Sequence, residues 1–150
     1  QLAELRRRAP SNVTFLGRVD PPTMAREMAA CKALVFPGEE DFGIVPLEAM
    51  ACGRPVIALG RGGALESVVG PRVDGGALDA AALRGATGLF FDHPRVASLV
   101  AAVRAFERHG ATITPEACRA RAERFAEPHF REAMAQTLAR RLADHAQALR

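Results

Sequence analysis

Short apolar runs alternate along this chain with stretches of helical character. Four of these runs are rich in β-branched and aromatic residues and stop at glycine, proline or aspartate. They predict strands at Val13–Leu16, Ala33–Phe36, Pro55–Leu59 and Gly88–Phe91. The runs are continuously apolar rather than alternating, and this pattern is typical of a parallel sheet that is covered on both faces.

The segments between and after these runs predict helices. The expected helices are Thr23–Ala30, Gly43–Cys52, Ala64–Val69, Arg95–Arg108, Pro115–Phe125 and Glu127–Leu149. Residues 71–87 are rich in glycine and alanine and carry no strand pattern, so they predict a surface insertion with one short helix near Ala77–Leu83. The alternation of strand and helix predicts the α/β class, a Rossmann-like parallel sheet with flanking helices.

Length and composition limit the chain to one soluble core. It has 150 residues, of which 49% are apolar and 25% are charged, and this is an ordinary globular composition. The apolar runs are far shorter than the roughly 20 residues that a membrane-spanning helix needs. The three cysteines (31, 52 and 118) form no CxxC pair, so we expect reduced thiols in a cytoplasmic protein.

The charge pattern argues against nucleic acid as a partner. The net charge is +3, yet the basic side chains are scattered among 17 acidic ones. A nucleic-acid binder more often gathers its basic residues into one stripe and interleaves aromatics for stacking. The chain has no tryptophan and no tyrosine, so the stacking platform is missing.

The most informative stretch is Pro37–Glu66, which runs from the end of one predicted strand, through a helix start, to the end of the next strand. Ligands of open α/β sheets bind at these carboxyl ends. A helix that opens at Gly43 leaves the backbone amides of Gly43, Ile44 and Val45 without partners inside the helix. Such a terminus favours an anion, most simply a phosphate.

Two glutamates flank this predicted anion site. Glu48 lies one turn beyond Ile44, and helical side chains lean back toward the helix start, so its carboxylate is expected to point at the ligand. A carboxylate has two acceptor oxygens, which suit the two hydroxyls of a ribose. Glu40, just before the helix, could accept hydrogen bonds from the hydroxyls of a sugar attached to the diphosphate.

These residues resemble those of a known family. Glu40 and Glu48, inside EDFGIVPLEAMACGRPVIA and followed by GRGGALE, look like the Glu-x7-Glu signature of retaining GT-B glycosyltransferases of family 4. The resemblance extends to FLGRV, ALVFPG and GLFF and covers about residues 10–130. It implies a partial C-terminal donor-binding domain, at residues 1–130, followed by a C-terminal helix at 131–150.

The resemblance also implies a role for each matching residue. Glu40 is expected to be catalytic and to contact the transferred sugar, and Glu48 is expected to bind the ribose. The backbone of Phe42, Gly43 and Ile44 would contact the sugar and the diphosphate. Arg18 and Val19 would lie on the base side of the donor. Gly62 and Gly63 would let the start of the next helix approach the donor closely. Arg61 would either contact phosphate or lie in solvent.

Parts of the family pattern are missing. The family's upstream Gly-Arg strand, its lysine helix and its Gly-Asp-Gly strand have no counterpart here, nor does the acceptor-binding domain. In the family's strand order, VTFLG and ALVF would be separated by two strands that this sequence lacks.

No DxD motif is present, so no metal is expected; the alternative is Mg²⁺ at Glu39-Glu40-Asp41. A dinucleotide oxidoreductase is a weaker rival, because Gly60-Arg61-Gly62-Gly63 fails the last glycine of GxGxxG.

The resemblance implies a hexosyltransferase that uses a nucleotide diphosphate sugar as donor substrate, retains configuration and needs no cofactor. Its strings are similar to those of mannosyltransferases with lipid-linked or polysaccharide acceptors, which leaves open a peripheral membrane association of the whole protein. The 150 residues alone are expected to be inactive. The alternative is a nucleotide-binding or interaction fragment without turnover.

Overall fold

A parallel sheet of four short strands forms the centre of the computed structural model, which describes residues 1–73 and 78–148. The strands are β1 (Leu34–Phe36), β2 (Val56–Leu59), β3 (Arg72–Val73) and β4 (Gly88–Phe91). Their order across the sheet is β1-β2-β4-β3, and every neighbouring pair is parallel. The predicted fold class is therefore confirmed.

Seven α-helices accompany the sheet in the described residues. They are α1 (Leu2–Arg8), α2 (Pro21–Ala30), α3 (Ile44–Ala51), α4 (Ala64–Ser67), α5 (Val96–His109), α6 (Pro115–Glu123) and α7 (Glu127–Ala148). Asp20 caps α2 and Thr114 caps α6, each by accepting a backbone N–H three residues on, and both helices begin with proline. Two one-turn 3-10 helices lie at Ala81–Leu83 and Gly110–Thr112.

The core lies along the two central strands. Every residue of β2 and β4 is buried, and α3, α5 and α6 add the buried side chains of Met50, Ala102 and Cys118. By contrast, α1, α2 and α7 bury no residue in the described chain. The row Phe130, Met134, Leu138 and Leu142 on α7 is exposed. None of the described helices combines the length and the apolar character needed to cross a membrane.

The predicted strand at Val13–Leu16 is wrong. These residues lie in an irregular segment between α1 and α2, and only Phe15 among them is half-buried. The Val13 amide donates to the carbonyl of Pro10, and no strand lies beside the segment in the described residues. A strand needs a neighbour to accept its backbone hydrogen bonds, and a favourable residue pattern cannot replace that neighbour.

The segment 71–87 was also predicted incompletely. Its first residues form β3, an edge strand that pairs with β4 through Arg72 opposite Phe90 and Val73 opposite Phe91. Leu83 and Thr87 are buried, so the second half of the segment is part of the core rather than a surface insertion. The short helix expected near Ala77–Leu83 is a single 3-10 turn at Ala81–Leu83, and Ala77 falls outside the described residues.

Candidate functional site

Two loops meet at the carboxyl edge of the sheet. The first, residues 37–43, joins β1 to α3 and carries Glu40; the second, residues 60–63, joins β2 to α4. We call them the first loop and the second loop. Because β1 and β2 are neighbouring parallel strands, their carboxyl ends bring these loops side by side.

Gly43 turns the first loop into helix α3. Its φ of 79° lies in the left-handed region, which glycine adopts without strain, and it is the N-cap of α3 with no side-chain cap. In residues 1–73 and 78–148, no carbonyl or side chain accepts from the amides of Ile44 or Val45. These two amides and the positive end of the helix dipole therefore form a place for an anion.

The second loop packs directly on the backbone of the first. The Gly63 amide donates a 2.8 Å hydrogen bond to the Glu40 carbonyl. A Cβ on Gly63 would lie 2.4 Å from the Cα and carbonyl oxygen of Phe42, and one on Gly62 would lie 2.4 Å from the Glu40 carbonyl oxygen. The family resemblance implies that these glycines give a helix start access to a donor. In the structure they give the two loops access to each other, and the Gly63 amide is already occupied.

Glu40, in the first loop, and Glu48, one turn into α3, both have exposed side chains. Neither carboxylate makes an ion pair in the described part of the chain. Glu39 differs, because its carboxylate lies 3.9 Å from the Arg61 guanidinium, and both side chains are about half exposed. An ion pair at that distance between solvent-exposed side chains contributes little to the stability of the fold. No three His, Cys, Asp or Glu side chains come close enough to hold a metal ion among the described residues.

Glu48 lines a groove of about 550 Å³, which we call the Glu48 groove. One wall comes from the first loop and α3, through Phe42, Ile44, Leu47 and Ala51. The opposite wall comes from α6 and the turn into α7, through Arg119, Ala122, Glu123, Phe125 and Ala126. Ile44 and Glu48 share one face of α3, as their spacing predicted. The α6 wall was not predicted, because nothing in the sequence links residues some 75 positions apart.

An aromatic contact joins the first loop to this wall. The rings of Phe42 and Phe125 lie 5.9 Å apart at 61°, an edge-to-face arrangement. A second cavity, of about 740 Å³, lies beside the same pair and extends to Phe130 at the start of α7. The exposed apolar row of α7 therefore begins next to the candidate site.

The two base-side candidates are not brought to this groove. Arg18 is exposed and Val19 is half-buried, in the irregular segment before α2. Neither lines the Glu48 groove or the cavity beside Phe42. A third cavity, of about 470 Å³, lies near the amino-terminal ends of the strands and is lined by Lys32, Arg54 and Phe106 among others. It contains none of the predicted site residues.

Relatives of this chain are glycosyltransferases. Residues 1–109 match the family described as glycosyl transferases group 1. The chain is 45% identical over 65 residues to the GDP-mannose-dependent monoacylated alpha-(1-6)-phosphatidylinositol monomannoside mannosyltransferase of Corynebacterium glutamicum. It is 44% identical over 59 residues to the mouse alpha-1,3/1,6-mannosyltransferase ALG2. These matches cover 38% and 39% of this chain, but only 17% and 14% of the two relatives.

Solved structures extend the likeness over nearly the whole chain. Sucrose-phosphate synthase from Thermosynechococcus elongatus superposes with a TM-score of 0.71 and 27% identity, over 95% of this chain and 34% of that one. Anabaena Alr3699/HepE in complex with UDP and glucose gives a TM-score of 0.61 and 27% identity, over 92% and 35%. The chain spans about a third of these structures. It belongs to the family of group 1 glycosyl transferases and has the fold of part of a GT-B enzyme.

Proposed function

We propose that this chain forms the donor-binding part of a glycosyltransferase that moves a hexose from a nucleotide diphosphate sugar. The observation that carries the proposal is the start of α3, where the amides of Ile44 and Val45 have no acceptor among the described residues, with Glu40 in the loop before the helix and Glu48 one turn into it. An anion site flanked in the chain by two carboxylates that make no ion pair with the described residues suits a ligand with a diphosphate between two hydroxyl-bearing sugars.

Each group has a separate task in this proposal. The amides at the start of α3 hold the diphosphate, whose negative charge grows as it leaves the sugar. Glu48 accepts hydrogen bonds from the two ribose hydroxyls, and Glu40 accepts them from the hexose. The acceptor enters on the face that the diphosphate leaves, so the configuration is retained without a covalent bond to a carboxylate. No step requires a metal or a cofactor.

The remaining assignments follow the family resemblance. Residues 1–130 are assigned to the donor domain and 131–150 to a C-terminal helix, with Arg18 and Val19 on the base side. A mannosyl donor is supported by the relatives named as mannosyltransferases, and a nucleoside diphosphate by the Anabaena structure in complex with UDP. A lipid-linked or polysaccharide acceptor and a cytoplasmic location complete the proposal.

The test compares Glu48→Ala with Glu40→Gln. We expect Glu48→Ala to weaken GDP or UDP binding by about 1.5–3 kcal/mol, roughly 10–150-fold, because hydrogen bonds to a charged group are lost. Glu40→Gln should leave that affinity unchanged and lower the rate of sugar transfer. Isothermal calorimetry on the whole protein measures the affinities, and NMR of the product sugar reports its anomeric configuration.

Glu27→Ala on the exposed surface of α2 is the matched control and should change neither quantity. Unchanged nucleotide affinity in Glu48→Ala would refute its role on the ribose. Nucleotide binding without any sugar transfer by the whole protein would favour the alternative, a nucleotide-binding fragment without turnover.

A further inference from the structure

Arg121 connects helix α6 to the end of helix α4. Its Nε donates to the Ser67 carbonyl at 2.8 Å, and its Nη2 donates to the Glu66 carbonyl. Both carbonyls belong to the last turn of α4, where helix geometry leaves carbonyl groups without intrahelical donors. One guanidinium therefore satisfies two acceptors on the helix that the second loop leads into.

The same guanidinium lies over an aromatic ring of the site. Its central carbon is 5.1 Å from the centre of the Phe125 ring, a cation–π distance. Burial lowers the pKa of the Arg121 guanidinium, and the neighbouring Arg124 charge lowers it further. Arginine remains protonated under these conditions, so the charge stays available to both carbonyls and the ring.

From Phe125 the contacts lead into the two loops. Phe125 meets Phe42 edge to face, and the backbone of Phe42 leaves no space for a Cβ on Gly63. Gly63 in turn donates to the Glu40 carbonyl and begins the short helix that Ser67 ends. The contacts thus form a closed ring from Arg121 through Phe125, Phe42, Gly63 and α4 back to Arg121.

We infer that Arg121 and Phe125 are positioning residues of the candidate donor site, which hold the first and second loops in register with each other. Neither residue is assigned a contact with the transferred sugar; they act through Phe42 and α4. Their role in binding a sugar donor rests on the proposed function, whereas their role in positioning the two loops does not. Loss of Arg121 leaves two carbonyls without donors and Phe125 without its cation, so the loops separate more easily.

Lysine cannot replace this arginine. A guanidinium donates through two nitrogens in one plane while its face lies on a ring, whereas an ammonium is a compact point charge. We therefore expect Arg121→Lys to behave like Arg121→Met. By the same reasoning, Phe125→Tyr keeps the ring and should behave like the unchanged chain, while Phe125→Leu loses the edge-to-face contact.

The first measurement is hydrogen exchange of the Gly63 amide, because that amide bonds to Glu40 across the two loops. Arg121→Met should lower its protection by at least about tenfold, the loss expected for one hydrogen bond to a charged group. Protection of Val56–Leu59 in the core should stay unchanged. Arg140→Met, the same substitution at an exposed position of α7, is the control.

The second measurement is the affinity for UDP and GDP by calorimetry. Arg121→Met and Phe125→Leu should each weaken binding, and the double variant should be no weaker than the weaker single variant, because both act through one chain of contacts. Additive losses, or equal loss of protection at Gly63 and in β2, would overturn the inference. If the unchanged protein binds neither nucleotide, the proposed function fails, and the Gly63 exchange alone then decides the role of Arg121.

Discussion

Cys118 is completely buried on the inner face of α6, and burial raises the pKa of its thiol to about 11 from an ordinary value of 9.0. In the unfolded chain the thiol loses its proton at the lower value. Between pH 9 and pH 11 the unfolded state therefore releases a proton that the folded state keeps. The free energy of unfolding should fall by about 3 kcal/mol in total across this window, and this thiol should change it no further above pH 11.

Chemical denaturation at a series of pH values from 8 to 11 checks this prediction. The chain suits the measurement, because it has no tyrosine and its only lysine is Lys32. Burial also raises the pKa of the Cys31 thiol, so the comparison variant is Cys118→Ala, which keeps that contribution. The slope above pH 9 should be shallower in the variant; an equal slope in both proteins would contradict the assignment.

At the scale of elements, the contact between the first and second loops is tightly constrained. Gly63→Ala places a methyl group against the backbone of Asp41 and Phe42, where no flexible side chain can give way. We expect the first loop to shift, with loss of the Gly63–Glu40 hydrogen bond and a destabilisation of about 1–3 kcal/mol, as for other overpacked sites.

Thermal unfolding and amide chemical shifts of residues 38–44 test this expectation. Gly38→Ala in the same loop is the matched control, because a Cβ there meets nothing within 4 Å. Similar effects of both substitutions would show that the loops do not depend on this close contact.

The elements themselves were predictable where local pattern and tertiary pairing agree. The apolar runs identified β1, β2 and β4, and the glycine at position 43 identified the start of α3. The run at Val13–Leu16 failed because a strand depends on a neighbour that composition does not reveal. The strand β3 was missed because two residues are too few to produce a pattern.

The candidate site was predictable to the same extent. The spacing of Glu40 and Glu48 is local, so the sequence could place Glu40 in the loop before α3 and Glu48 one turn into that helix. The contacts of Arg121 with Glu66 and Ser67 span more than 50 residues, and no spacing rule links them. Only the fold brings α6 against α3 and makes Phe125 a wall of the Glu48 groove.

At the scale of the whole molecule, stability is unevenly distributed. The amides of Ile57 and Leu59 lie in a fully buried strand with a partner on each side, whereas residues 14–17 have no backbone acceptor in the described part of the chain. Hydrogen exchange of the amides of residues 14–17 should require no opening of the sheet. We expect the Thr14–Leu16 amides to exchange within the fastest class and those of β2 within the slowest.

Hydrogen exchange followed by NMR or mass spectrometry on the monomeric chain measures both groups together. Dilution tests whether association between copies of the chain protects residues 14–16. Equal protection of residues 14–16 and 57–59 in a monomer would mean that the irregular segment has a partner not seen in this fold.

The close packing of the first and second loops also bears on how this site could acquire a new ligand preference. Its outline is held by main-chain atoms and by glycines, whereas Asp41 and Ile44 are exposed and no side-chain atom of either is among the nearest atoms to a Cβ at positions 62 and 63. These two positions can therefore be randomised in a library without redesigning the scaffold, whereas positions 62 and 63 must stay fixed. A selection for a different ligand would then start from two loops whose backbones already hold each other in place.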